Sequence, residues 1–251
     1  MTVSIGLRGD VDHATLRAIA PRIEAAGYRT LWLNDNHRGE SLAGLAVVAA
    51  VTTHLQLGTG VIALDGLPAD GILGKLGDLP LDRLTLGVGS GGTTGALERV
   101  ERAVDELRRA TTAPVVVGAL GPRMRRLAAE RADGVLLNWL TPSAAEAATA
   151  QLRRDAGDRP VRSILYVRTT ASPVDAAALD AECTRYSGIA TYAANFERLG
   201  IRAIDTTIRS EADLAAFLPT ADEIVLRSVT TGGTVPELER LIDRYAVAGA
   251  S

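Results

Sequence analysis

The chain has 251 residues, 47% of them hydrophobic and 23% charged, with a formal net charge of −3. That length is enough to bury a large core, and the charge balance speaks against a nucleic-acid or anionic-membrane partner. Cys183 is the only cysteine, so no internal disulfide can form and a reducing compartment is expected.

The first residues run directly into strand-like sequence, without a basic segment followed by an apolar one. The longest apolar run, 42–51, is too short to span a bilayer. A cytoplasmic protein is the expectation. Residues 3–8 are expected as a strand and 14–26 as a helix, with Leu16, Ile19, Ile23 and Ala26 on one face. A second strand at 30–34 and a helix at 42–52 follow. A third strand is expected over 55–64, apolar throughout as parallel strands are. A weak helix at 68–79 is broken by Gly71, Gly74 and Gly77 and stopped by Pro80.

A fourth strand is expected at 84–89 and an amphipathic helix at 96–109. The fifth strand, 114–119, leads to a helix that starts at Pro122, where a proline is tolerated because that N–H lacks a partner in any case. A sixth strand at 134–139 precedes a helix from about Pro142 to Arg154. The seventh strand spans 163–169. Helical pieces at 174–185, 189–199 and 211–217 lead to an eighth strand at 223–228 and a last helix at 235–246. Eight strands, each followed by helical sequence, predict a (β/α)8 TIM barrel forming one α/β domain over 1–251.

In such a barrel, function sits on the loops after the strands. The second strand ends Asn34-Asp35-Asn36-His37, offering a carboxylate acceptor and a proton-carrying imidazole; a polar turn is the plainer reading. Glycines in Gly58-Thr59-Gly60-Val61 mark a bulge or a close approach. The fourth strand enters a glycine-rich loop from Gly87 through Gly89 to Gly92. It has the spacing of a dinucleotide fingerprint but lacks the acidic residue that motif expects on the next strand. Gly121-Pro122-Arg123-Met124-Arg125 makes an anion site at a helix start, or a loop with solvated arginines. Asn138-Trp139 brings an amide and a large aromatic to the same end, though Trp139 equally suits the core. The loop 230–234 offers a phosphate site or a simple turn. His13, His37 and His54 are scattered, and no metal-ligand spacing appears.

Taken in order, several stretches resemble the luciferase-like monooxygenases and their coenzyme F-420-dependent relatives. They are 25–35, Leu57-Gly58-Thr59-Gly60-Val61, 82–91, 119–124, 132–139 and 222–226. The resemblance implies a compact barrel of that type with trimmed insertions, and a small-molecule oxidoreductase or monooxygenase using coenzyme F-420, preferred, or FMN. It implies a non-prolyl cis peptide at Gly60–Val61 backing the ring and Asp35 against the ring. Gly89, Gly121, Pro122, Asn138 and Trp139 would line the remainder, and a homodimer is implied by analogy. His37 and Asp35 are the candidate catalytic groups. Two positions depart from the relatives. Asn36 stands where they usually carry a histidine, with His37 one residue later, and Gly92 stands where they often carry a glutamate. The alternative expectation is a barrel that binds a ligand or partner without catalysis.

Overall fold

Runs of branched aliphatic residues alternate with amphipathic ones, and the structure pairs the former in parallel. The computed structural model describes residues 2–35, 40–92 and 94–246. Its strands are β1 (Thr2–Leu7), β2 (Thr30–Leu33), β3 (Gln56–Thr59), β4 (Ile62–Ala63), β5 (Leu84–Gly89), β6 (Val115–Gly118), β7 (Gly134–Asn138), β8 (Arg162–Thr169), β9 (Thr207–Ile208) and β10 (Glu223–Ser228). Its helices are α1 (His13–Ala25), α2 (Glu40–Ala49), α3 (Ala69–Gly74), α4 (Ala96–Ala110), α5 (Pro122–Arg131), α6 (Pro142–Ala156), α7 (Ala176–Ser187), α8 (Ala190–Leu199), α9 (Glu211–Phe217) and α10 (Val235–Arg244).

The strands follow the order β10-β1-β2-β3-β5-β6-β7-β8, and β8 pairs back onto β10. The sheet is therefore a closed parallel barrel of eight strands, with helices outside it. β4 continues β3 and pairs with β5. β9 lies beside the C-terminal end of β8, with Arg168 opposite Thr207 and Thr169 opposite Ile208.

Helix starts follow local chemistry. Asp12 accepts from the amides of Ala14 and Thr15 to begin α1, as a good N-cap does. Pro122 and Pro142 occupy the first turns of α5 and α6. In α4, Val100, Ala103, Val104 and Leu107 form the buried stripe, which is the spacing of a helix packed on a sheet.

The expected third strand is two pieces. It breaks at Gly60–Val61, where the peptide bond is cis. The Gly60 amide donates to the Leu33 carbonyl at 2.8 Å just before the break, and Leu64 N donates to the Gly89 carbonyl at 2.9 Å beyond it, so the ladder resumes with β4 on β5.

Strand parity decides what fills the barrel. Trp32, Val116, Leu136, Ile164, Tyr166 and Val225 form a buried interior cluster, with Val61 packed on it. Trp32 and Tyr166 meet edge to face at 6.1 Å. Gly58 is glycine because a β-carbon there would overlap the Trp32 ring. The floor, at the N-terminal end of the strands, is polar. Buried Glu223 accepts from Ser4 Oγ at 2.6 Å, Trp32 Nε1 at 2.8 Å and Arg162 Nη2 at 2.5 Å.

Candidate functional site at the barrel mouth

The C-terminal ends of the strands form a mouth with two unlike halves. On the side of β2 to β7 the inward-facing residues are small or only half-buried: Asn34, Val61, Gly118 and Asn138. Because these side chains point into the barrel, their exposure opens through the mouth. The Asn34 amide donates to the Gly60 carbonyl at 2.5 Å, holding the turn after β3 against the end of β2. The Val61 side chain lies inside the barrel. A β-carbon on Gly89 or Gly118 would come within 2.8 or 3.1 Å of it, so these two glycines shape the floor of an open shelf. The buried Asn138 Oδ1 has no partner.

The side of β8, β10 and β1 is filled. Tyr166, Arg168 and Arg227 are buried there. A β-carbon on Gly60 would overlap the Tyr166 hydroxyl, which has no hydrogen-bond partner. Helices α7 and α8 cover this half. Trp139 stacks beneath Arg168, whose guanidinium carbon is 4.0 Å from the ring centroid. Tyr186 and Phe196 meet the same ring at 4.8 and 5.7 Å. These contacts hold Trp139 at φ 53°, a left-handed conformation that is costly for a bulky residue.

The structure therefore brings Gly60, Val61, Gly89 and Asn138 to one place. Asp35 follows Asn34 at the rim, and its carboxylate accepts from Ser41 N at 3.2 Å and Ser41 Oγ at 2.7 Å. It thus ties the first turn of α2, and Asp35→Ala is expected to cost about 1 kcal/mol in urea denaturation, the usual worth of such a bond. Trp139 is packed under the cap rather than on the shelf. Pro122 lines an outer groove of about 470 Å³ between α4 and α5, with Leu97, Arg123 and Arg126. His37 and Asn36 lie outside the described residues.

Gly121 starts α5 without a side-chain cap. Beside it, Arg125 donates to the Leu120 carbonyl at 2.8 Å, and its Nε has no partner. Burial, aided by the like charge of Arg198, pulls the Arg125 pKa down to about 10. A cation near an uncapped helix start is an anion-receptive arrangement. The loop 230–234 is different. The Gly232 and Thr234 amides and the Thr234 hydroxyl already donate to Glu237, so those donors are taken. Among the described residues, no group of three or more His, Cys, Asp and Glu side chains is placed to hold a metal ion. None of the described helices is long and apolar enough to cross a membrane.

Arg168, Arg227 and Glu182 lie outside the residues that the strand ends predict. The first two carried a signal: each is a charge at an inward position of a parallel strand, where buried charges are rare unless paired. Glu182 lies on a cap helix, and nothing local marks it.

Fold and mouth together define a parallel (β/α)8 barrel with a split third strand and one half of its opening covered by a helical pair. The chain belongs to the luciferase-like monooxygenase family, whose profile matches residues 95–251. It is 27% identical over 187 residues to the 5,10-methylenetetrahydromethanopterin reductase of Archaeoglobus fulgidus, covering 59% of this chain and 55% of that protein. The chain thus spans about half the length of the curated relatives it matches. Among solved structures it is similar to a coenzyme F-420-dependent secondary alcohol dehydrogenase in complex with a coenzyme F-420–acetone adduct. The TM-score is 0.72 at 12% identity, over 97% of this chain and 98% of that one. It is also similar to the oxygenating constituent of 3,6-diketocamphane monooxygenase from Pseudomonas putida, in complex with FMN. There the TM-score is 0.64 at 12% identity, over 98% of each chain. These likenesses at low identity concern the fold.

Proposed function

We propose that the chain is a cytoplasmic oxidoreductase that binds coenzyme F-420, or alternatively FMN, on the open shelf of the mouth and acts on a small organic substrate. The observation that carries this is the shelf itself: Val61 raised between Gly89 and Gly118, with the unpartnered Asn138 Oδ1 at its edge. A flat ring needs an apolar back wall without protruding side chains and a few polar contacts at its rim. These residues supply both. Gly60 and Val61 would back the ring, Asn138 would bond its edge, and Gly121 with Arg125 would receive an anionic tail. When bound, either ring supplies a hydride acceptor or donor, and FMN also supports monooxygenation. Asp35, through Ser41, fixes the start of α2 behind the shelf. His37 is the group we assign to moving the accompanying proton. Association as a homodimer belongs to the same proposal.

Absorbance and fluorescence titration of the purified chain with each cofactor tests this reading. One of the two is expected to saturate, and Arg125→Gln is expected to weaken it about tenfold, the worth of one charged hydrogen bond. Saturation by neither would favour a barrel that binds a ligand or partner without redox chemistry. The observation behind that second reading is the other half of the mouth, which the chain's own side chains fill.

A further inference from the structure

The filled half of the mouth is built around charge. Strands β8 and β10 are hydrogen-bonded neighbours, and their register sets Arg168 directly beside Arg227. Both point inward, since Tyr166 and Val225, two residues earlier, belong to the interior cluster and side chains alternate along a strand. Both are buried, at 4% and 7% exposure. Two cations held together out of water require anions nearby.

One carboxylate answers them. Glu182 of α7 accepts from Arg168 Nε at 3.1 Å. Burial alone would raise the Glu182 carboxyl, but Arg227 and Arg168 outweigh it and hold it below the ordinary range. Arg227 donates from Nε to Asn34 Oδ1 at 2.8 Å and from Nη1 to the Ser228 carbonyl. Both partners are neutral. The exposed Arg8 at the rim pairs with Asp10 and balances itself. Among the described residues, the cluster of Arg168, Arg227 and Glu182 therefore carries one positive charge in excess. Arg168 Nη1 has no acceptor, and neither Ser228 Oγ nor Tyr166 Oη has a partner.

We propose that Arg168 and Arg227 form a binding site for the carboxylate of a small organic acid. One negative charge cancels the excess, whereas a phosphate dianion would overshoot it. A guanidinium fork matches a carboxylate with two parallel bonds. The stack of Arg168 on Trp139 and Tyr186 fixes the plane of that fork. Asn34, half-buried at the mouth, accepts from Arg227 and is the part of this cluster nearest to solvent at that end. If the chain is an oxidoreductase, as proposed above, its substrate is an anion seated beside the shelf; the carboxylate site itself does not depend on that reading.

Calorimetric titration of the full chain at constant ionic strength, with no cofactor present, tests the site. Hexanoate is expected to bind saturably, and the neutral isostere hexanamide is not. Glu182→Gln removes the competing carboxylate and is expected to tighten hexanoate binding about tenfold. Arg227→Gln is expected to weaken it at least tenfold. Circular dichroism checks its fold; should that variant not fold, Glu182→Gln decides alone. The proposal is overturned if hexanoate binds no better than hexanamide to both the natural chain and Glu182→Gln, or if Glu182→Gln weakens it. Because the redox rings take no part in this titration, a failure of cofactor binding and a failure of the carboxylate site are read separately.

Discussion

Replacing Glu223 with alanine is expected to lower the stability of the barrel by about 3–5 kcal/mol, the sum of two buried donors left without an acceptor and a cavity. Glu223 is 1% exposed and serves three donors at the floor of the barrel. Without it, the Trp32 N–H and the Ser4 hydroxyl lose their acceptor in a place that water does not reach, at about 1–3 kcal/mol each. Arg162 suffers less, because its side chain is 39% exposed and can turn outward. A cavity adds to the loss. For a chain of this size the melting temperature should fall by roughly 10 °C. Glu223→Gln, which keeps an acceptor oxygen, should cost clearly less. A melting temperature for Glu223→Ala within a degree or two of the natural chain would mean that the three bonds contribute little.

The largest functional effect is expected from Gly118→Leu. Position 118 faces inward, is half-buried, and would place its β-carbon 3.1 Å from Val61. The rest of a leucine side chain can extend only into the open shelf. Crowding of this kind costs about 1–3 kcal/mol of stability, so the fold should survive. Binding of the ring should fall on the order of a hundredfold, which is about 2.7 kcal/mol. Gly74→Ala, on α3 outside the barrel, is the comparison. No atom lies within 4 Å of its added β-carbon, so the variant should fold and bind the ring as the natural chain does. If Gly118→Leu binds cofactor as the natural chain does, the ring does not lie on the shelf.

The barrel was legible because its signal is periodic and repeated. Runs such as Val115-Val116-Val117 alternate with stripes such as Val100, Val104 and Leu107, and eight repetitions leave few architectures. The interruption at Gly60–Val61 was marked by its glycines, although the residues on either side are apolar enough to suggest one unbroken strand. Two-residue β9 was not legible. Thr207–Ile208 is too short to show alternation, and its pairing with β8 is set by tertiary position. The same holds for the site. Gly60, Gly89 and Asn138 could be found by following strand ends, because parity and backbone geometry place them. Trp139 could not be assigned in that way, since its surroundings come from Tyr186 and Phe196, far along the chain. The Arg168–Glu182 pair joins a strand to a cap helix, and no local spacing encodes it.

β9 has a mechanical consequence. The segment carrying α7 and α8 leaves the end of β8 and then returns to it, because β9 docks alongside the last residues of that strand and Thr170 N donates to the Ile208 carbonyl at 3.2 Å. The helical pair is thus anchored at both ends to one rail, as a handle is to a door. A swinging flap needs one loose end, and this segment has none within reach of the opening. Any breathing of the cover must bow its middle outward while the hinges stay shut. Amide exchange should then be slow at Thr170 and at the β9 positions paired to β8, even when the turn between the two helices exchanges freely.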